Sequence, residues 1–252
     1  MKLSLVGVGL AIALFAMPAM ALTTVLDGSN PPSEDDLYEI YNGVYGTSFS
    51  STMGATVANT SGGMDGLQIA EVGEFGIAAG ANGVTLVAVF AGNSQRFGYY
   101  NNVGAPVGDS ATLGTDGDFN HLFDVPPDPN GSVDVVLGPG PVGFYLRSDP
   151  TFGATRTWFS EEELNSDLLD HMVVYYGVDG SGNVLDGSNG LTSLLIAFED
   201  RNELGDVDYN DIVITMTFRG TPTFTPPVPE PATAGLLLIG LAGLAARRRF
   251  RA

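Results

Sequence analysis

The sequence predicts an all-β domain, an antiparallel β-sandwich that admits a jelly-roll arrangement. Three observations predict it. Apolar runs of strand length recur from Val84 onward, and several alternate apolar and polar residues as a sheet with one buried face does. Clusters of Gly, Asn, Asp and Pro separate them, in a chain of 34 glycines and 15 prolines. Helical periodicity within the domain is confined to two short stretches.

In chain order, Lys2 is the only charge before an apolar stretch from Leu3 to Ala16, and Ala19-Met20-Ala21 is an A-x-A cleavage site. Residues 1–21 therefore read as a secretory signal peptide, and the mature chain begins at Leu22. The first helix is expected over Glu34–Val44. Ser33 caps it, Glu34, Asp35 and Asp36 suit its positive end, and Leu37, Ile40, Tyr41 and Val44 share a face. The Gly-, Ser- and Thr-rich stretch that follows carries no assignable pattern. Strands are expected at Val84–Ala91, Gln95–Tyr100, Val133–Leu137, Val142–Arg147, Met172–Val178, Ser193–Phe198 and Ile212–Phe218. The second helix is expected over Glu161–Asp170, with Ser160 and Glu163 as a capping box and Leu164 and Leu168 as its apolar face. Residues 22–220 are long enough for one β domain with a core of its own. Residues 221–231 are a proline-rich, extended tether.

Val-Leu-Asp-Gly-Ser-Asn occurs twice, at Val25–Asn30 and Val184–Asn189. The flanks differ, and two similar turns account for the pair.

Charge narrows the partners. The lone lysine, Lys2, leaves with the signal peptide, and between Leu22 and Pro231 stand 29 acids against five arginines, a net charge of −24. Such a surface repels nucleic acid and attracts divalent cations. There are no cysteines, so no disulfide staples the exported chain. Calcium is the usual substitute outside the cell.

The C-terminus has three parts: Pro229-Glu230-Pro231, an uncharged apolar run from Ala232 to Ala246, and a basic tail at 247–252 with Arg247, Arg248, Arg249 and Arg251. As a helix the run spans about 22 Å, and flanking residues can bring it to bilayer length. The arginines hold the tail on the cytoplasmic side. This tail resembles the PEP-CTERM sorting signal of exopolysaccharide-producing Gram-negative bacteria. The resemblance implies processing by an exosortase, a membrane protease that cuts near the motif. An ordinary membrane anchor is the alternative; either way the domain is exported.

Within the domain the chemistry concentrates in Phe198-Glu199-Asp200 and Asp206-Val207-Asp208-Tyr209-Asn210-Asp211, a loop joining two expected strands. In an extended segment Asp206, Asp208 and Asn210 point the same way, and Glu199, Asp200 and Asp211 can close on them. Calcium takes six to eight oxygens, and this loop offers enough. It is not an EF-hand, since Asp211 stands where the loop glycine belongs. A solvated acidic loop with local turns, or a catalytic carboxylate pair, are the other readings. Together with Trp158-Phe159-Ser160, Leu164-Asn165 and Asp170-His171, this stretch resembles the DUF4114 family, a bacterial exported domain of unknown function. The resemblance implies a β-rich extracellular module with Asp200, Asp206, Asp208, Asn210 and Asp211 as its signature. Where the family runs glycine-rich, this chain has Arg201-Asn202-Glu203-Leu204 and only Gly205.

Three weaker clusters alternate oxygen-bearing side chains: Asp116, Asp118, Asn120 and Asp124; Asp128, Asn130, Ser132 and Asp134; Asp179, Ser181, Asn183 and Asp186. Each can hold calcium or simply be a polar turn. Catalytic equipment is thin. His121 and His171 are the only imidazoles, and no Gly-x-Ser-x-Gly elbow or phosphate loop is present. His171 reads as structural, and no enzymatic activity is expected, although a carboxylate-based glycoside hydrolase is the remaining catalytic option. Tyr99, Tyr100, Trp158, Tyr175, Tyr176 and Tyr209 are candidates for stacking on a sugar. The expectation is an exported, exosortase-processed protein of the cell surface or exopolysaccharide matrix, calcium-stabilised and structural or adhesive. A lectin-like module for exopolysaccharide is the alternative.

Overall fold

The computed structural model describes residues 22–28, 34–54, 61–69, 72–76, 80–90, 93–108, 110, 115–125, 132–137, 140–149 and 154–225. The signal peptide, Ser33, the Pro229-Glu230-Pro231 motif, the apolar run and the terminal arginines lie outside the described residues. No helix among the described residues is long and apolar enough to cross a membrane.

In chain order the elements are α1 (Leu37–Tyr45), β1 (Ser48–Ser51), β2 (Ser61–Gly63), β3 (Gln68–Ile69), β4 (Glu74–Gly76), β5 (Gly80–Val89), β6 (Ser94–Tyr100) and β7 (Thr115–Asp116). Then follow β8 (Phe119–Val125), β9 (Ser132–Leu137), β10 (Pro141–Asp149), β11 (Arg156–Phe159), β12 (Met172–Tyr176), β13 (Leu191–Phe198), β14 (Ile212–Arg219) and β15 (Thr223–Thr225). The front sheet has the order β15-β4-β10-β6-β8-β7, with β11 also on β10, and the back sheet β3-β12-β13-β14-β5-β9. Both are antiparallel throughout; β1 and β2 form a separate parallel ribbon. The architecture is a sandwich, with β12, β13 and β14 as a meander in the back sheet.

Every expected strand is present, because those runs carry the main core. Phe97, Phe144, Leu146 and Trp158 of the front sheet meet Val174, Leu194, Ile196, Phe198, Ile214 and Met216 of the back sheet. The alternate residues of the back sheet are buried too. Val173, Tyr175, Leu195, Ala197 and Val213 pack beneath Leu37, Ile40 and Tyr41 of α1 and Val25 of the N-terminal segment. Burial on both faces is why β12 and β13 read as continuous apolar runs.

The strands the sequence did not reveal are mostly too short for a pattern, and β8 is instructive among them. Its pairing with β6 shifts between Phe97 and Gly98, skipping Leu122. This bulge turns Phe123 toward the main core and Phe119 toward an outer cluster with Tyr100 and Tyr145. The period of two is broken, so the strand does not announce itself. At the far end β15 pairs with β4, so the sandwich runs through Thr225, into what the sequence assigned to the tether.

The first helix begins later than expected. Asp36 is its N-cap: the Glu39 carboxylate accepts from the Asp36 N–H at 3.1 Å, and Asp36 accepts from Gly28 N–H at 2.8 Å. Gly46 closes the other end in the left-handed region at φ 66°, where glycine carries no Cβ penalty. Asp36→Ala should cost about 1 kcal/mol, read as a midpoint about 2–4 °C lower in a thermal melt. An unchanged midpoint would mean that this tie does not hold the helix.

The second helix is corrected. Only a 3-10 turn, Glu162–Leu164, forms. Ser160 is not a cap: its Oγ donates to Gly73 O at 2.7 Å and accepts from Phe144 N–H at 3.1 Å. Tertiary partners claimed the hydroxyl, and Leu168 sits exposed at φ 58°.

Candidate metal centre

The Phe198–Ile212 pair closes the base of the acidic loop, with Glu199 and Asp200 on one side and Asp211 on the other. Asp200 N–H donates to Asp211 Oδ2 at 2.7 Å across it. Asp200 also ties the loop to the front sheet. Its Oδ2 accepts from Asn93 Nδ2, Gln95 Nε2 and Ser148 Oγ, each at 2.9 Å, and its carbonyl accepts from Trp158 Nε1 at 2.7 Å.

Beneath lies a buried stack. His171 packs on Trp158 with ring centroids 3.8 Å apart. Its Nδ1 is 2.9 Å from Glu199 O and its Nε2 3.0 Å from Asp167 Oδ2. Both ring nitrogens are therefore engaged within the fold. At Asp167 burial pushes the carboxyl up, but the Glu203 N–H and His171 outweigh it and hold it below the usual range.

Glu199 is the centre of the arrangement and fully buried. Its Oε1 accepts from Arg201 N–H at 3.0 Å, and its carboxyl lies within hydrogen-bonding reach of the Asp211 carboxyl. Burial first, and then the Asp211 charge, push this carboxyl up to about 10. Asp211 is pushed up to about 7 by burial and by Asp200. Asp208 is pushed up to about 6 by burial and by Asp206. Oxygens of Glu199, Asp206 and Asp208 lie within 4.8 Å of one another, as do those of Glu199, Asp200 and Asp211. Ligands 2.3–2.6 Å from a calcium ion stand at most roughly 5 Å apart, so both triads have the spacing of a coordination shell.

The loop is not extended, which corrects the alternation argument. Val207 and Tyr209 take φ 65° and 54°, so the side chains are aimed by left-handed residues rather than by a strand. Asp206 and Asp208 reach Glu199, and Asn210 is held beside them by two bonds. Its amide donates to Asp35 O at 3.1 Å and its backbone N–H to Asp208 Oδ1 at 3.3 Å. Glu203 and Leu204 also have positive φ, 59° and 60°, next to Gly205 at 44°. Glu203 and Leu204 thus take a path that glycine adopts more readily, and only Gly205 is a glycine. Such residues cost about 1–3 kcal/mol each and persist only where the surroundings hold them. Here Leu26 N–H binds Val207 O at 2.9 Å, Glu203 N–H binds Asp167 Oδ2 at 2.9 Å, and Tyr209 Oη binds Asp170 O at 2.6 Å.

Arg201 was missed by the sequence reading as a member of the site. Its guanidinium, 59% exposed, lies 2.9 Å from Asp206 Oδ2. Asn93, Gln95 and Ser148 were missed as well, since they come from other strands and carry no local signal.

The weaker clusters are polar turns where they are described. Asp118 accepts from Val107 N–H at 2.7 Å, and Asp124 pairs with Arg96 at 3.0 Å. Asp179 accepts from Ser181 and Asn183 N–H, and Asp186 from Ser188 N–H. Asp128 and Asn130 lie outside the described residues, and Ser132 Oγ meets Thr85 Oγ1. Of the aromatic candidates, Tyr100, Trp158, Tyr175 and Tyr209 are fully buried and offer no sugar-stacking face; Tyr99 and Tyr176 are half-buried.

Residues 130–219 match DUF4114, a domain of unknown function, and residues 227–249 match the PEP-CTERM protein-sorting motif. Part of the sandwich thus matches DUF4114, and the C-terminal end is a PEP-CTERM sorting signal. That signal marks an exported protein, membrane-anchored before exosortase cleavage. No curated protein matches the chain. Two solved lectins resemble part of it. One is CV2L of Chromobacterium violaceum in complex with alpha-methyl-fucoside: 21% identity, 59% of this chain and 97% of that one, TM-score 0.33. The other is the C-terminal domain of BC2L-C from Burkholderia cenocepacia: 17% identity, 60% and 97%, TM-score 0.34. Likeness at these scores says nothing of what this PEP-CTERM protein binds.

Proposed function

We propose that this PEP-CTERM protein is a structural or adhesive component of the cell surface or exopolysaccharide matrix, and that calcium at the Glu199–Asp211 loop completes its sandwich. The observation that carries the calcium reading is the crowding at fully buried Glu199, whose carboxyl oxygens lie within 4.8 Å of those of Asp206 and Asp208 on one side and of Asp200 and Asp211 on the other. Ionising so many buried carboxyls together is costly, and a bound cation is the usual compensation. Glu199, Asp200, Asp206, Asp208 and Asp211 would hold the ion, with Arg201 as the neighbouring counter-charge. Calcium would offset the mutual repulsion of these carboxylates and hold the left-handed loop in place. The protein acts by binding rather than catalysis: His171 is committed to Glu199 and Asp167 on its two nitrogens. A lectin role would have to rely on Tyr99 and Tyr176, the two aromatic candidates that are not fully buried.

The test is a thermal melt of the purified chain in calcium and in chelator. A ligand of the folded state at a hundredfold excess over its dissociation constant adds about 2.7 kcal/mol, which is a midpoint shift of several degrees for a domain of this size. Asp206→Ala with Asp208→Ala should abolish that shift. An equal midpoint with and without calcium in the wild type would remove the calcium reading.

A further inference from the structure

A second group of buried polar atoms lies on the outer face of the back sheet, among the N-terminal segment, the β1–β2 ribbon and β3. It begins with the repeated hexapeptide, whose two copies do different things. In the second, Asp186 closes an exposed turn on Ser188 N–H at 2.9 Å. In the first, Asp27 turns inward: Oδ2 accepts from Ser51 Oγ at 2.7 Å and Thr52 N–H at 2.9 Å, and Oδ1 is buried with no partner. Thr52 is fully buried, and its Oγ1 is also unpartnered. Tyr175, fully buried, brings a third orphan, its Oη, from β12, and the Asp65 and Asp27 charges both act on that phenol. Gln68 stands opposite Tyr175 in the β3–β12 register. Its Nε2 donates to Thr23 O at 2.9 Å, and its Oε1 is the fourth orphan.

An unpartnered buried polar group costs about 1–3 kcal/mol, so four such oxygens, on Asp27 and the adjoining Thr52 and on the cross-strand pair Gln68 and Tyr175, argue for a guest that satisfies them. Two carboxylates fix its charge. Asp65 Oδ2 accepts only Gly54 N–H, at 2.7 Å, among the hydrogen bonds described, and neither Asp27 nor Asp65 has an ion pair among the described residues. The edge of the group is closed by backbone: a Cβ on Gly63 would lie 2.0 Å from the Met53 and Gly54 carbonyl oxygens, so only glycine permits this approach. The donor set is all oxygen, the preference of a hard cation rather than a soft one.

We propose that this group binds a divalent cation, calcium in the extracellular setting, through Asp27, Asp65, Thr52 and Gln68, with the Tyr175 hydroxyl against its coordination shell. The site is separate from the Glu199 centre and does not depend on it. Leu26, which binds Val207 O, joins the two regions through the backbone.

The experiment measures calcium stoichiometry of the full chain in detergent by equilibrium dialysis, and terbium luminescence excited through tyrosine. Asp27→Asn should bind one equivalent of calcium fewer than wild type. Asp206→Ala with Asp208→Ala should retain that equivalent, which separates failure here from failure at the other loop. In that double-variant background, bound terbium should emit by transfer from Tyr175, and Tyr175→Phe should remove most of the emission. Unchanged stoichiometry in Asp27→Asn would overturn the proposal and leave ordered water as the guest. Should Asp27→Asn not fold, the near-isosteric Tyr175→Phe decides, and undiminished emission there overturns the proposal equally.

Discussion

Metal-free protein should become less stable as the pH rises from about 4 to 8, and Glu199→Gln should remove much of that loss. The sign follows from the direction of the shifts. Asp208, Asp211 and Glu199 are pushed up to about 6, about 7 and about 10 by burial and by one another. In the unfolded chain such groups titrate near 3.9 for Asp and 4.3 for Glu. The folded state therefore holds these protons more tightly. The stability they contribute is fully present below about 4, and is lost as pH rises through each folded value. Calcium works in the opposite sense, since it needs the ionised carboxylates and must displace their protons. Its binding should release protons near pH 7 and tighten as the pH rises.

Glu199→Gln keeps the shape and removes the charge. In chelator at pH 8 its midpoint should lie several degrees above wild type, and the calcium-induced shift should vanish. Paired melts from pH 4 to 8 test this. If variant and wild type run parallel in chelator, the repulsion at Glu199 is not what sets the slope.

Asp200→Ala should be the most damaging single change in the loop, in calcium and in chelator alike. It leaves Asn93, Gln95 and Ser148 facing a void where one carboxylate oxygen took all three. Breaking a buried charged network of this kind costs about 3–5 kcal/mol, a midpoint drop of roughly 6–20 °C at about 2–4 °C per kcal/mol. Asp206→Ala should lower the midpoint in calcium alone, because Asp206 is half-exposed and bonded to Arg201. Asp200→Asn, which keeps an acceptor, should recover part of the loss. An Asp200→Ala protein as stable as wild type in chelator would show that these three donors find water instead, and that Asp200 does not join the two sheets.

Much of this was legible locally. The long strands are visible because their apolar residues fill the space between two sheets, and that requirement is written at every second position of β6, β9 and β10. The acidic loop is visible because its carboxylates fall within one short stretch of sequence. What was not legible depends on partners distant in sequence. Ser160 and Glu163 have the spelling of a capping box, yet Gly73 and Phe144 claimed the hydroxyl, and a 3-10 turn formed. Asp206, Asp208 and Asn210 alternate, but left-handed Val207 and Tyr209 aim them, and the Asn210 amide is tied to Asp35. Four aromatic residues that suit a sugar platform were drawn into the cores instead.

By itself, then, the sequence determined the sorting tail, the β class and the loop that gathers acid, since each rests on composition or spacing within a short stretch. Only the tertiary structure decided which carboxylates meet at Glu199, that Asp200 ties the two sheets together, and that identical hexapeptides turn one aspartate onto Ser51 and Thr52 and close the other on its own turn. Those outcomes turn on which groups lose water together. That depends on the packing of elements up to 175 residues apart, as Asn210 and Asp35 are, and no local pattern encodes it.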